Sequence, residues 1–272
     1  MLKVPFVKYH GAGNDFILID DRSGDWNDLI HEEWVARVCH RRFGIGADGL
    51  ILLQKANDGS DFFMKYYNSD GRTSTFCGNG GRCVVSFANA IGISKDNFNF
   101  LGTDGMHHAK INDDSSVSLG MIDVTEIEKL DIKTYKLYTG SPHYVTFVED
   151  IKLIDVKQQG STIRNSPLFV NEGINVNFIQ SHSPQEITIR TYERGVEDET
   201  FACGTGVVAA AIANAVYYEN YSGKCIIHAS GGELEVTFDR VGESHFENIR
   251  LIGPAVEVFR GEINLLNSTQ KI

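Results

Sequence analysis

Two cysteines occur in nearly the same setting at two distant points of the chain. Cys77 is followed by Gly78-Asn79-Gly80 and Cys203 by Gly204-Thr205-Gly206, at a spacing of 126 residues. Each stands just ahead of a run of helix-forming residues, so each is expected beside a helix N-terminus. Free N–H groups and the helix dipole favour negative charge there. A thiol in that position can have its pKa lowered from about 8.5 to roughly 3.5–7.5. The same N–H groups can hold a carboxylate, and the glycines let the backbone pass close to a ligand. A thiol on each side of one clamped carboxylate can take a proton from one face of the adjacent carbon and return one to the other. The thiolate is the base and the thiol the acid. That is two-base racemisation or epimerisation, and it needs no cofactor.

The remaining cysteines, Cys39, Cys83 and Cys225, read as small buried hydrophobes. An odd, scattered set of five is a poor disulfide framework. No C-x-x-C occurs. Cys77 and Cys83, six residues apart, would lie roughly 120° apart around a helix, which argues against a metal pair. No metal and no other cofactor is expected.

The 272 residues suffice for one large domain or two smaller ones. Net charge is −11 with no basic block, which argues against a nucleic-acid partner. No segment approaches the roughly 18 apolar residues of a membrane span, and the N-terminus has no signal-peptide pattern. A cytoplasmic protein is expected.

Apolar alternating runs such as "FILID", "LILLQ", "NVNFIQ", "EITIRTY" and "ELEVTF" predict many strands, separated by turn signals. Helical patterns are fewer. One covers Asn27 to Phe43, with Leu29, Ile30, Trp34 and Val38 at amphipathic spacing, and the others follow Cys77 and Cys203. The fold class is α+β, richer in strand, with antiparallel neighbours expected from the short loops.

Repeats decide the organisation. Besides the cysteine motifs, Tyr66 matches Tyr192 at the same spacing, and "SFANAIG" echoes "AIANAVY". Gly13-Asn14 falls on Gly140-Ser141 and Ile51-Leu52 on Phe178-Ile179, both at a spacing of 127. In order and nearly in register, these predict two copies of one fold, related by a pseudo-twofold axis that brings Cys77 and Cys203 face to face.

At these residues the chain resembles the diaminopimelate epimerase family. The resemblance lies in "HGAGNDF" (His10 to Phe16), "NSDG" (Asn68 to Gly71), "CGNGGRC" (Cys77 to Cys83), "GSPH" (Gly140 to His143), "YERG" (Tyr192 to Gly195) and "ETFACGTG" (Glu199 to Gly206). It covers essentially the whole chain in order. It implies two pseudo-symmetric lobes, each a curved mixed sheet wrapped around a central helix. The expected lobes are residues 1–120, completed by 262–272, and residues 121–261. It further implies a homodimer without pyridoxal phosphate, interconverting LL- and meso-2,6-diaminoheptanedioate. Cys77 and Cys203 become the acid/base pair, and the backbone of Gly78, Asn79, Gly204 and Thr205 holds the carboxylate. Asn14, Asn68, Asn175, Glu193 and Arg194 read the distal end of the substrate. Arg194 suits a carboxylate because its fork can make two parallel hydrogen bonds. His143 and Glu193 are partners that set thiol protonation, without assignment to one cysteine. Two departures stand out: Ser141 where many members carry asparagine, and Gly49 where some carry glutamine. Both would leave room for a water-bridged contact.

Bland readings stand beside these. Asn14 and Asn68 lie in ordinary turn sequences, and Glu193-Arg194 could be a solvated charged pair. Gly44 to Gly49 satisfies G-x-G-x-x-G, but a helix precedes it and a strand follows, the reverse of a dinucleotide site. His107-His108 has no third ligand nearby in sequence and reads as surface. The competing functions are a proline or hydroxyproline racemase, a thiol redox protein and a non-enzymatic binding module.

Overall fold

The computed structural model describes residues 2–74, 76–221 and 223–265. In chain order the first half holds β1 (Leu2–Gly11), β2 (Asn14–Asp21), α1 (Glu32–Cys39), β3 (Gly49–Gln54), β4 (Phe62–Asn68), α2 (Gly78–Ala90), β5 (Asn97–Gly102), β6 (Gly105–Ile111) and β7 (Val117–Gly120). Then come β8 (Ile127–Asp131), β9 (Thr134–Tyr138), β10 (Pro142–Phe147), α3 (Val156–Arg164), β11 (Asn175–Ser183), β12 (Glu186–Glu193), β13 (Asp198–Thr200), α4 (Gly204–Tyr217), β14 (Lys224–Ala229), β15 (Gly232–Arg240), β16 (Phe246–Gly253) and β17 (Val256–Leu265). Two compact units result. One takes the chain up to Leu119 and again from Pro254, and the other runs from Gly120 to Gly253. The return at Pro254, rather than at 262, has a direct cause. β17 pairs antiparallel with β1 from Leu2↔Leu265 to His10↔Val256. Residues 266–272 of the expected 262–272 segment lie outside the described residues.

Each unit repeats one order of pairings. In the first, β17–β1 and β1–β2 are antiparallel, β2–β3 parallel, β3–β4 antiparallel, β4–β5 parallel, and β5–β6 and β6–β7 antiparallel. In the second, β8–β9 and β9–β10 are antiparallel, β10–β11 parallel, β11–β12 antiparallel, β12–β14 parallel, and β14–β15 and β15–β16 antiparallel. The sheets are therefore mixed, not simply antiparallel. Wherever a helix separates consecutive strands the crossover makes them parallel, whereas hairpins reverse the chain. The crossover helices are α1 and α2 in one unit, α3 and α4 in the other.

Two of these helices are central. α4 buries 11 of its 14 residues and α2 buries 10 of 13, so both are enclosed on nearly every side. Small residues at Gly80, Gly81, Ala209, Ala210 and Ala211 let the sheet approach closely. The strands β2 and β3 are apolar on both faces because both are covered. Ile17, Ile19, Leu50 and Leu52 pack with Trp34 and Val38 of α1. On the other face, a Cβ at Gly80 would meet Ile51, Met64 and Phe16.

The helix expected over Asn27 to Phe43 is shorter, Glu32–Cys39. Its early residues form turns, and at its end a Cβ on Gly44 would lie 2.2 Å from Arg37 O. This close return is the helix-to-strand connection that the G-x-G-x-x-G pattern encodes. α3 was not expected. Its N-cap Asp155 accepts from Gln158 N, and Gly160 gives it contact with β12, where a Cβ would lie 2.3 Å from Tyr192 Cβ.

Candidate active site

Both cysteines are N-caps with extended backbone, Cys77 at φ −123° and Cys203 at φ −99°, and neither caps its helix with its side chain. Neither first turn contains an acidic residue. The positive end of each dipole is therefore not neutralised from within its own helix. Gly81 N and Val207 N make the first intrahelical bonds, to Cys77 O and Cys203 O. The preceding N–H groups, those of Gly78, Asn79, Gly204 and Thr205 among them, have no acceptor one turn back. Cys77 is half-buried and Cys203 buried.

In the first unit, Ala12 and Gly13 turn β1 into β2 with φ of 51° and 81°, the pair of positive values a tight hairpin demands. This sets Asn14 at the start of β2. Its Oδ1 accepts from Asn79 Nδ2 at 3.1 Å and from the Cys77 thiol at 3.5 Å, and its Nδ2 donates to Asp48 at 2.7 Å. Asp48 also pairs with Arg41 at 2.6 Å. Arg82 Nη2 donates to Asn79 Oδ1 at 2.9 Å. Asn68 lies at the same strand end, because Gly49 faces Phe16 on one side and Asn68 on the other. The room expected at Gly49 is taken: a Cβ there would lie 2.5 Å from the Tyr66 ring.

In the second unit, His143 is completely buried, and desolvation followed by the Arg194 charge lowers its pKa to about 3. It is neutral, and its tautomer is determined. Asn177 accepts from Thr191 Oγ1 at 3.0 Å through Oδ1, so its Nδ2 faces Tyr144 O at 3.0 Å and His143 Nδ1 at 3.1 Å. Nδ1 is thus an acceptor and Nε2 carries the hydrogen. Nε2 lies 2.9 Å from both Ser141 Oγ and Thr205 Oγ1. Asn175 Nδ2 donates to Ser141 Oγ at 3.0 Å, and the Ser141 and Thr205 hydroxyls share a hydrogen bond, also at 3.0 Å. The Thr205 hydroxyl lies 3.5 Å from Cys203 Sγ, where it can donate to a thiolate or accept from a thiol. Ser141 is thus a member of this network, not a gap for water.

Asn175 and Arg194 meet within the same unit. Asn175 Oδ1 accepts from Arg194 N at 2.9 Å, fixing the turn after β12. The Arg194 side chain is exposed and its Nη1 donates to Glu172 O at 2.9 Å. Glu193, half-buried, ends β12 one residue after Tyr192, the partner of Val176.

Cys39, Cys83 and Cys225 are buried, and desolvation raises all three thiols, Cys39 and Cys225 to about 12. They are inert at neutral pH. His108 is exposed, as expected, but His107 is half-buried. It stacks on Phe76 with ring centres 3.8 Å apart, directly before Cys77. Sequence reasoning missed Asp48, Arg82, Asn177 and Thr191. Asn177 left one signal, a second polar residue two positions after Asn175 in an apolar strand, hence on the same face. No group of three or more metal-ligating side chains occurs among the described residues.

The profile of the family described as diaminopimelate epimerase matches residues 6–125 and 135–258. The chain belongs to that family. The diaminopimelate epimerase of Flavobacterium psychrophilum is 48% identical over 256 residues, 94% of this chain and 98% of that protein. That of Chlorobaculum tepidum is 42% identical over 262 residues, covering 94% and 99%. Among solved structures, a PhzF-family phenazine biosynthesis protein from Bacillus anthracis aligns with a TM-score of 0.72 at 14% identity, covering 97% of this chain and all of that one. A probable proline racemase from Agrobacterium radiobacter aligns at 0.68 and 14%, covering 98% and 94%. At these identities the likeness is one of fold. The repeated mixed sheet around a central helix is thus the diaminopimelate epimerase fold. No helix among its described residues is long and apolar enough to cross a membrane.

Proposed function

We propose that this chain interconverts LL- and meso-2,6-diaminoheptanedioate by moving one proton on and one proton off the same α-carbon through Cys77 and Cys203. The observation that carries the reading is the repeated N-cap thiol: two equivalent central helices, each starting with a cysteine whose side chain does not cap it. The first-turn N–H groups hold the α-carboxylate and stabilise the charge that spreads onto it as the carbon is deprotonated. One thiolate accepts the α-proton, and the other thiol gives its proton to the opposite face of the carbanion. The carbon is inverted and the protonation states of the two sulfurs are exchanged. Asn68, Asn175, Glu193 and Arg194 select the distal amino acid end. The exposed fork of Arg194 pairs with its carboxylate, and Glu193 with its ammonium group. His143 supports Cys203 through Thr205. A cytoplasmic homodimer without pyridoxal phosphate or metal completes the reading.

The test is incubation of the reduced protein with LL-diaminopimelate in deuterium oxide, followed by mass spectrometry and chiral analysis. Meso product carrying one solvent deuterium is expected. Folded protein with both thiols free that gives neither exchange nor meso product would sink the assignment, and turnover of 4-hydroxyproline instead would move the substrate.

A further inference from the structure

Arg82 has no task in the chemistry above. It lies on α2, five residues after Cys77, and none of its surface is exposed. Nη2 donates to Asn79 Oδ1 at 2.9 Å and Nη1 reaches Gly78 O at 3.5 Å. Nε has no hydrogen-bond partner among the described residues. The hairpin tip seals it in: a Cβ on Gly11 would lie 3.2 Å from Nη2.

A guanidinium keeps its proton throughout the working pH range, and enclosing a cation without an anion costs several kcal/mol. Burial pulls the Arg82 pKa down, the signature of an unrelieved charge. The carboxylates on the neighbouring strand and loop are committed elsewhere. Asp15 pairs with Lys8 at 2.7 Å and Arg41 at 2.8 Å, and Asp48 with Arg41. Lys8 and Asp15 offset one another, and His107 of β6 faces Phe76 and Asp104. The groups facing Arg82 that can become anionic are the thiols of Cys83, next to it in the chain, and of Cys77, which shares the Asn14 amide oxygen with the Asn79 side chain that Arg82 binds. Burial keeps Cys83 neutral. Cys77, half-buried at the helix start, is left.

We propose that Arg82 is a positioning residue acting through Cys77: its enclosed guanidinium is the counter-charge that the Cys77 thiolate meets in each turnover. The proposal rests on Cys77 being one of the two acid/base thiols. At the equivalent place in the second unit, 126 positions on, stands Val208, apolar and buried. Cys203 relies on the neutral hydroxyl and imidazole network instead.

Iodoacetamide alkylation of the full chain, followed by peptide mass spectrometry across a pH series, gives one midpoint for each thiol. Arg82→Gln keeps a donor for Asn79 and removes the charge, whereas Arg82→Lys keeps the charge. The expected result is a Cys77 midpoint raised by about one pH unit or more in Arg82→Gln. In Arg82→Lys it stays close to that of the unmodified chain, and the Cys203 midpoint stays put in both. Should Arg82→Gln not fold by circular dichroism, Arg82→Met carries the same expectation. An unmoved Cys77 midpoint in a folded charge-free variant overturns the proposal, and so does an equal shift of both thiols. Alkylation needs no turnover. A chain inactive on diaminopimelate with a shifted Cys77 midpoint therefore refutes the epimerase reading alone. An active chain with an unmoved midpoint refutes only the role of Arg82.

Discussion

The starts of α2 and α4 share a backbone and differ in what stands behind the thiol. Around Cys77 the polar groups form a chain that ends in charges: Arg41, Asp48, Asn14, Asn79, Arg82. Around Cys203 the side chains that reach Thr205 are neutral, Asn177, His143 and Ser141, and the Arg194 charge acts on them from further off. A duplicated fold supplies two equivalent helix N-termini, but the proposed inversion uses one sulfur as acid while the other is base. Unlike surroundings allow the two sulfurs to differ in basicity on a common scaffold. The Arg82–Val208 pair is the sharpest point of divergence, a buried cation against a buried methyl pair.

The largest test of that pairing is removal of either sulfur. Cys77→Ala and Cys203→Ala should each lower epimerisation on the order of 10²–10⁴-fold, measured by chiral analysis of product, with circular dichroism unchanged. If one variant retained full activity, the two ends would not be partners in one reaction. Thr205→Val tests the neutral network. Losing a hydrogen bond to a charged group costs about 1.5–3 kcal/mol, so kcat/KM should fall by roughly 10–100-fold and recover in Thr205→Ser. No loss in Thr205→Val would remove the hydroxyl from the Cys203 relay.

The third glycine position separates the units by stability. A Cβ at Gly206 would lie 2.5 Å from Asn177 Oδ1, which accepts from Thr191, whereas one at Gly80 would meet the end of Ile51 at 3.1 Å. Gly206→Ala should lose about 1–3 kcal/mol by overpacking. Gly80→Ala should lose less, because the better helix propensity of alanine offsets part of the strain. Thermal melts of the two variants compare them directly, and equal losses would contradict the asymmetry.

Acidification acts on the second unit through His143. Burial lowers the pKa of His143 from the ordinary 6.5 to about 3, so the unfolded chain binds the proton first. Stability is fully present above about pH 6.5 and is lost progressively as pH falls toward 3, by at most about 1.4 kcal/mol per pH unit. Asp15, also depressed, contributes stability above its ordinary value of 3.8 and loses it only below that. Between pH 6.5 and 4.5, hydrogen exchange should therefore loosen in α4 peptides more than in α2 peptides, and His143→Asn should remove the difference.

Much of this was legible early because local chemistry carries it. The cysteine–glycine repeats, the strand runs and the helix starts are short-range patterns, and they point at the N-cap thiols, at Asn14 in its hairpin and at His143. What was missed depends on partners far along the chain. The parallel pairings follow from crossover helices, and α3 has too weak an apolar stripe to announce itself. Ser141 and Gly49 looked like vacancies because a sequence shows missing atoms at one position but not the Tyr66 ring or the Asn175 amide that fills the space.

By itself, the sequence determined the duplication, the strand-rich α+β class, the two cysteines before glycine-led helices and the family they belong to. These are written in residue type and spacing, which the backbone reads locally as turns, caps and periodicity. Only the tertiary structure decided that Thr205 stands between His143 and Cys203, and which tautomer His143 takes. It alone decided the enclosure of Arg82 with no carboxylate paired to it among the described residues. Proton positions and buried charge depend on which distant groups arrive within about 3 Å, and burial multiplies the cost of leaving any of them unmatched.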